Sequence, residues 1–166
     1  MIRRATGFDR SWMIATASEA FAHLGDYQRI LPSWLDQPGV LSWVDEHLST
    51  RRGLAVLAFY GEALPAGQHG LRVVADLLAL AVPPPFQRNG LGSALLAHVL
   101  RIVDSMGVSA GAREVRLTVE ASNAVAQRMY ERAGFTLHRE LASNYESGLV
   151  GWRMTRPLPN LPPLGT

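Results

Sequence analysis

The sequence predicts one mixed α/β (α+β) domain, in which helices flank a central sheet that is partly antiparallel. The chain has 166 residues, 48% of them apolar, which suffices for one sizeable core and not for two. Strand-like and helix-like segments follow one another in the order β, α, α, β, β, β, α, β, α, β, β. The helix-like segment 91–106 connects two strand-like segments, which favours one parallel crossover within the sheet.

The first half of the chain is predicted to contain a strand at 2–6, helices at 11–24 and 27–35, and strands at 40–46 and 54–62. Ser11 is expected to cap the first helix and Asp26 the second. Pro32 counts against the second helix because it falls beyond the first turn. The two strands are rich in β-branched and aromatic residues, and the polar segment 47–53 between them predicts a loop.

The second half is predicted to contain strands at 71–82, 114–120, 135–141 and 149–155 and helices at 91–106 and 122–135. Apolar residues form one stripe along helix 91–106, and Gly107 is expected to end it as a C-cap. A helix is the alternative for 73–81, but the prolines at 83–85 would end it without a glycine cap. Residues 1–156 are expected to form a single domain, followed by a proline-rich C-terminal tail at 157–166.

Composition and charge narrow the classes of function. The net charge is +2, and the 16 basic residues, all arginine, are scattered, which argues against nucleic acid as a partner. No apolar run approaches the ~20 residues of a membrane span, and no apolar segment follows the first arginines, so we expect a cytoplasmic protein, monomeric or homodimeric. The chain has no cysteine, and its five histidines lack ligand spacing, so no metal is expected.

The stretch "AVPPPFQRNGLGSALL" at 81–96 carries the first chemical signal. The three prolines cannot donate to a sheet ladder, so they end the strand, and the turn that follows precedes a helix. Free N–H groups at a helix N-terminus, beside Gly90 and Gly92, form an anion site suited to a pyrophosphate. The alternative is a plain strand-to-helix turn. The lysine of a Walker loop and the third glycine of a dinucleotide-binding fingerprint are both missing.

Two segments together resemble the GCN5-related N-acetyltransferase (GNAT) superfamily. The first is "VPPPFQRNGLGSALL" at 82–96, which resembles the acyl-CoA pyrophosphate motif of that family. The second is "VRLTVEASNAVAQRMYERAGF" at 115–135, which is similar to the strand, asparagine and helix that follow it. The resemblance covers nearly the whole chain. It implies a GNAT-like fold with splayed parallel strands, and acetyl-CoA as the cosubstrate.

The resemblance also implies which residues contact acetyl-CoA. They are Leu80, Ala81, Val82, Gln87, Arg88, Asn89, Gly90, Leu91, Gly92, Ser93, Asn123, Ala126 and Tyr130. Main-chain groups of 80–82 would bind the pantetheine arm where the two parallel strands splay at a bulge. The turn 87–93 would bind the pyrophosphate. Asn123 is equally well placed to act as a simple helix cap, and the two roles are compatible.

The same resemblance assigns catalytic roles. Tyr130 matches the tyrosine that protonates the departing thiolate, and a phenol with a reference pKa near ~10 is a donor at neutral pH. The alternative is a core tyrosine on an apolar helix stripe. Asp76 matches a strand position that carries a glutamate base in some members, so Asp76 or a water chain would take the amine proton; a structural carboxylate is the alternative. Glu120, at the outward end of its strand, is a weaker candidate for the base, and a solvated surface charge is the favoured alternative for it.

The acceptor is expected to be a small-molecule or peptide amine. The motifs are nearest to those of ribosomal-protein alanine N-acetyltransferases, but Thr118 stands where those enzymes carry a glutamate, which puts their substrate in doubt. Tyr27, Trp34, Tyr145 and Glu146 are expected to line the acceptor site. We expect an N-acetyltransferase that works by direct attack in a ternary complex. A non-catalytic acyl-CoA-binding sensor or regulatory module, and another nucleotide-binding α/β domain, are the alternatives.

Overall fold

The structure, a computed structural model, describes residues 1–159. Its strands are β1 (Ile2–Arg4), β2 (Val40–His47), β3 (Thr50–Ala63), β4 (Leu71–Ala81), β5 (Ala112–Glu120), β6 (Thr136–Asn144) and β7 (Val150–Pro157). Its helices are α1 (Arg10–Ala20), α2 (Tyr27–Leu35), α3 (Leu91–Met106) and α4 (Ala124–Arg132). The order of strands and helices is the predicted one, and the mixed α/β fold class is confirmed.

The seven strands form one sheet in the order β1-β2-β3-β4-β5-β7-β6. Neighbours are antiparallel except β4 and β5, which are parallel and joined by α3, as predicted. Because α1 and α2 pack on one face of the sheet and α3 and α4 on the other, the core has two parts. We call the face under α1 and α2 the acceptor face, after the predicted acceptor residues Tyr27 and Trp34 of α2. The face under α3 and α4 is called the α3 face.

The parallel pair β4 and β5 separates before either strand ends. Its last paired residues are Leu77 and Leu117, although β4 continues to Ala81 and β5 to Glu120. Leu78 forms a bulge, since Val56 pairs with Ala79 while the next residue of β3 already pairs with Leu77. The resulting gap, between 78–81 and 118–120, is called the fork below. It confirms the splayed parallel strands.

Helix α1 begins differently from the prediction. Ser11 lies inside the helix and is not its cap, because the helix starts at Arg10 and Asp9 holds the N-cap position. Asp9 also closes a capping box with Thr6 around the short 3₁₀ turn that precedes the helix. The helix ends at Ala20, and not at 24 as predicted.

The prediction of a loop over residues 47–53 is wrong. The connection is only Leu48 and Ser49, both with positive φ (48° and 64°), which is the geometry of a tight hairpin. β3 therefore begins at Thr50. The polar residues Arg51 and Arg52 fit within a strand because each binds a buried carboxylate, Asp9 and Asp45 respectively.

Gly107 follows α3 as predicted but is not a left-handed cap, since its φ is −62°. A Cβ there would lie 2.5 Å from the carbonyl oxygen of Val103 and 2.7 Å from Leu158 Cδ1, so glycine permits close packing. Leu158 is buried in the core on the α3 face, directly after the end of β7. Residues 160–166 of the predicted tail lie outside the described residues.

A fully buried carboxylate joins the first strand, the first helix and the sheet. Asp9 accepts hydrogen bonds from Arg3 (2.8 and 3.0 Å), Arg51 Nε (2.7 Å) and the Thr6 main-chain N–H (2.8 Å). The Arg3 guanidinium, followed by Arg51, holds the pKa of Asp9 well below its usual range despite burial. Asp9 is therefore ionised at neutral pH although it is buried.

Asp9→Asn is expected to lower the free energy of unfolding by about 3 kcal/mol, because two arginines lose their buried partner. Since the folded-state pKa is lowered, this stabilisation is complete above the unfolded pKa, about 3.9, and is lost as the pH falls below it. Urea unfolding at pH 7 and at acid pH measures both effects. Asp36→Asn, which breaks an exposed pair with Arg10, is the matched control and should cost at most about 1 kcal/mol. Equal losses in the two variants would contradict the role of burial.

Candidate active site

The turn before α3 adopts a strained backbone. Pro84–Phe86 form a 3₁₀ turn directly after β4, and Arg88 and Gly90 then have positive φ (63° and 74°). Gly90 is the N-cap of α3 in the left-handed conformation, which glycine adopts without cost. Gln87 Nε2 donates to the carbonyl oxygen of Val82 (2.8 Å), so this side chain closes the turn against the end of β4.

This backbone presents a row of free donors. Within residues 1–159, no acceptor binds the main-chain N–H groups of 88–93, and the first bonded amide is Ala94, which donates to Gly90. These groups lie at the positive end of the 16-residue helix α3. A Cβ on Gly90 would meet nothing within 4 Å, so a ligand can approach the backbone there. The turn therefore fits a diphosphate, with exposed Arg88 beside it.

The fork offers a second kind of contact. Beyond Leu77, β4 no longer pairs with β5, and alternate residues of an edge strand point their main-chain N–H and C=O groups away from the partner strand. Leu80 and Ala81 lie on this edge, whereas the carbonyl of Val82 already accepts from Gln87. An extended ligand arm can therefore add to β4 as a strand would. Together, the turn and the fork fit a ligand that has a diphosphate and an extended arm.

Helix α4 places a phenol beside the fork. Asn123 caps this helix, since its Oδ1 accepts from the main-chain N–H of half-buried Ala126 (3.1 Å), so the predicted cap is confirmed. Tyr130 is buried except for 9% of its surface and packs edge-on against Phe135. Burial raises the pKa of Tyr130 to about 12. No residue among 1–159 hydrogen bonds its hydroxyl, and the hydroxyl oxygen keeps some solvent exposure.

Asp76 belongs to a charged cluster on the acceptor face. It precedes Leu77, the last paired residue of β4, accepts a hydrogen bond from the Tyr60 hydroxyl (2.7 Å) and lies 3.5 Å from Arg116 Nε. Buried Arg116 also binds Glu62. Burial raises the pKa of Asp76, while Tyr60, Arg116 and Arg153 oppose that rise. Asp76 is thus a shielded carboxylate next to the fork.

Two loops form an arch over the end of the fork on the acceptor face. Glu146 binds Arg29 and accepts from the main-chain N–H of Asp26 (3.0 Å), and the Ser147 N–H donates to Leu24 (2.9 Å). Glu146 therefore fixes the β6–β7 loop to the start of α2. Half-buried Tyr145 lies beneath this arch.

The predicted acceptor residues of α2 face inward. Tyr27 is buried, and Trp34 meets it edge-on at 5.8 Å between ring centres. Beside them, a groove of about 610 Å³ opens on the acceptor face. It is lined by residues 37–40, 58–61 and Leu78. Because Leu78 is the bulge residue and Tyr60 binds Asp76, this groove leads to the fork.

Sequence reasoning missed two arrangements. Arg116 alternates with apolar residues and therefore suggests a solvent-facing side chain, but it is buried among Tyr60, Glu62 and Asp76. The second is a contact between His23 Nε2 and Glu120 Oε2 at 2.9 Å. These two residues are 97 positions apart, so no local pattern could have revealed the contact.

The part of the chain that the structure describes contains no group of three or more metal-ligating side chains. Within the same residues, no helix has both the length and the apolar character that a membrane crossing requires.

Comparison with known proteins identifies similar sequences. Residues 10–135 match the model of the acetyltransferase (GNAT) family. The chain is 35% identical over 133 residues to a mycothiol acetyltransferase of Clavibacter michiganensis, covering 78% of this chain and 40% of that protein. It is 46% identical over 61 residues to the ribosomal protein bS18 alanine N-acetyltransferase of Escherichia coli, covering 37% of this chain and 38% of that protein. The matched sequence segments thus span well under half the length of these two relatives.

Solved structures share the fold. The ribosomal-protein-S18-alanine N-acetyltransferase from Escherichia coli superposes with a TM-score of 0.73 at 22% identity, over 100% of this chain and 98% of that one. Arabidopsis thaliana NAA60 in complex with acetyl-CoA superposes with a TM-score of 0.74 at 16% identity, over 96% of this chain and 99% of that one.

Gly151→Ala is expected to lower the free energy of unfolding by about 1–2 kcal/mol. A Cβ at Gly151 would lie 2.6 Å from Thr118 Cγ2 and 2.9 Å from Tyr145 Cε2, so the Tyr145 ring must move. Urea unfolding measures the loss. Thr118→Ser removes one of the two clashes, so it should restore part of the loss in the double variant and change little alone. A Gly151→Ala protein of unchanged stability would contradict the position of Tyr145.

Proposed function

The chain belongs to the GNAT acetyltransferase family, and on that basis we propose that it transfers an acetyl group from acetyl-CoA to a primary amine. The observation that carries the proposal is the fork between β4 and β5, with the free donors of 88–93 at one end and the Tyr130 hydroxyl beside it. The two curated relatives described above are named as acetyltransferases, and one structural neighbour was solved in complex with acetyl-CoA. A binding module without turnover is therefore not favoured.

The chain's own groups bind and orient acetyl-CoA. The main-chain N–H groups of 88–93 hold the diphosphate, and Arg88 adds a positive charge. The free edge of β4 at Leu80 and Ala81 aligns the pantetheine arm, and Asn123 and Ala126 flank it from the start of α4. This placement directs the thioester to the acceptor face, where main-chain donors of the fork polarise its carbonyl.

The transfer proceeds by direct attack of the amine. The amine nitrogen bonds to the acetyl carbon, the carbon–sulfur bond breaks, and Tyr130 gives its phenol proton to the sulfur. Because the pKa of Tyr130 is raised, the phenol is fully protonated at neutral pH. Asp76 receives the proton of the attacking amine through a water molecule, and Tyr130 then regains a proton from solvent. The carboxylate of Asp76 fits this role because burial raises its pKa.

The acceptor enters from the acceptor face. The groove at Leu78, the ring of Tyr145 and the inward-facing Tyr27 and Trp34 define that approach, while Glu146 fixes the arch above it. Two groups of relatives are named for mycothiol and for ribosomal protein bS18 alanine. The acceptor proposed here is a small-molecule or peptide amine that this groove admits.

Tyr130→Phe is expected to lower kcat by about a hundredfold or more, since the thiolate then leaves unprotonated. Steady-state release of free thiol from acetyl-CoA measures the loss, with a panel of polyamines, amino acids, aminoglycosides and peptide N-termini as acceptors. Because the hydroxyl has no protein partner, the variant should keep its stability and its affinity for acetyl-CoA. Full activity in the variant would refute the acid role. Absence of thiol release from the wild type with every amine would refute the proposed function.

A further inference from the structure

A carboxylate that the mechanism above does not use lies within the fork. Glu120 is the last residue of β5, three positions beyond the end of its pairing with β4. Val119 is buried on the α3 face, and side chains alternate along a strand, so Glu120 points to the acceptor face together with Thr118. The side chain of Glu120 is 16% exposed. A carboxylate thus lies at the end of the fork on the acceptor face.

The partners of Glu120 leave it able to bind a further donor. Ser122 Oγ donates to Oε1 at 2.6 Å, and His23 Nε2 lies 2.9 Å from Oε2. A carboxylate has about four acceptor positions, so two remain. Within residues 1–159, no arginine makes a salt bridge with Glu120. His23 is a weak and exposed partner, since 54% of its side chain is accessible.

The ring of Tyr145 lies near this carboxylate. The pKa of Tyr145 is raised by burial and then by the nearby Tyr27, Glu120 and Tyr130, which places each of these groups near Tyr145. Tyr27 and Tyr130 are each at least nine-tenths buried. Among the described residues none hydrogen bonds their hydroxyls, and both oxygens keep some solvent exposure. Phenol and carboxylate oxygens both accept hydrogen bonds, so the space around Tyr145 suits a ligand with N–H donors.

The other charges on this face do not compete for that ligand. Arg116 is matched by Glu62 and Asp76. Arg153, on β7, lies close enough to Asp76 to oppose the rise of its pKa. Glu146, in the arch, is bound by Arg29. Among Asp76, Glu62, Glu146 and Glu120, only Glu120 has no arginine partner in the described part of the chain, so a ligand can replace its partner His23.

We propose that Glu120 is the docking group for the acceptor's ammonium ion, which displaces His23 from the carboxylate. Alkyl amines with pKa values of roughly 8 to 10.4 arrive protonated at neutral pH, and a carboxylate near the ring of Tyr145 suits such a cation. Glu120 thus selects cationic amines and positions them at the fork, before Asp76 takes the proton. This inference rests on the proposed function.

Two other roles for Glu120 make different predictions. If the contact with His23 were only a structural latch between the α1–α2 connection and β5, then Glu120→Gln and His23→Ala would have similar effects. If Glu120 were the base, Glu120→Gln would lower kcat and leave the KM for the amine unchanged. Docking predicts that Glu120→Gln raises KM strongly with little change in kcat, and that His23→Ala does not raise KM.

The test measures kcat and KM for the best amine of the acceptor panel. Glu120→Gln should raise the KM for the amine at least tenfold, with kcat changed less than threefold. His23→Ala should leave that KM unchanged or lower it, because the competing group is gone. Asp76→Asn should lower kcat instead. Glu140→Gln is the matched control, because Glu140 also contacts a histidine, His138 (3.1 Å), but on the exposed edge strand β6; it should change neither constant.

Two further readouts separate this proposal from the proposed function. For a fluorinated amine whose pKa lies below the assay pH, Glu120→Gln should raise KM less than twofold, because the amine carries no charge. In NMR, n-butylammonium chloride should shift the His23 ring signals in the wild type and not in Glu120→Gln, with sodium chloride as the reference. An unchanged amine KM in Glu120→Gln, or equal effects of Glu120→Gln and His23→Ala, in an enzyme that still releases thiol, would overturn docking alone. Loss of acetyl-CoA binding by the wild type would overturn the proposed function.

Discussion

The arrangement of the candidate active site depends on the point where β4 and β5 stop pairing. Up to Leu77 and Leu117 the two strands form an ordinary parallel ladder, which α3 covers on one face. The bulge at Leu78 and the prolines that follow β4 then release main-chain groups that a sheet would otherwise bind. Every site feature lies around this gap: free amides at its entrance, Tyr130 on the α3 face, and Asp76 and Glu120 on the acceptor face.

The two faces of the sheet therefore have separate tasks. The α3 face is largely apolar, which buries the ring of Tyr130 and raises its pKa. The acceptor face carries charge beyond the cover of α1 and α2, because Arg116 is held between Glu62 and Asp76. Burial raises the pKa of Tyr130 and keeps its phenol protonated. The nearby Arg116 opposes the effect of burial on the pKa of Asp76, which favours the ionised carboxylate that a base requires. One sheet thus separates the proposed acid from the proposed base.

The order of elements, the parallel crossover and the turn after the prolines could be predicted because each depends on local pattern. The bounds of an element could not be predicted where its polar residues pair with residues far away in the sequence. Arg51 and Arg52 made the start of β3 resemble a loop, since their partners Asp9 and Asp45 come from other elements. The burial of Arg116 likewise depends on partners from other strands. The contact between His23 and Glu120 forms because the α1–α2 connection folds over the end of β5.

The central claim is that the amides of 88–93 and the fork together hold acetyl-CoA. Calorimetric titration with acetyl-CoA and with S-acetylpantetheine, which has the same thioester and arm but no diphosphate, tests it most directly. The account predicts saturable binding of acetyl-CoA that is at least about tenfold tighter, equivalent to about 1.4 kcal/mol. Equal affinity for the two compounds, or no heat with either, would contradict it.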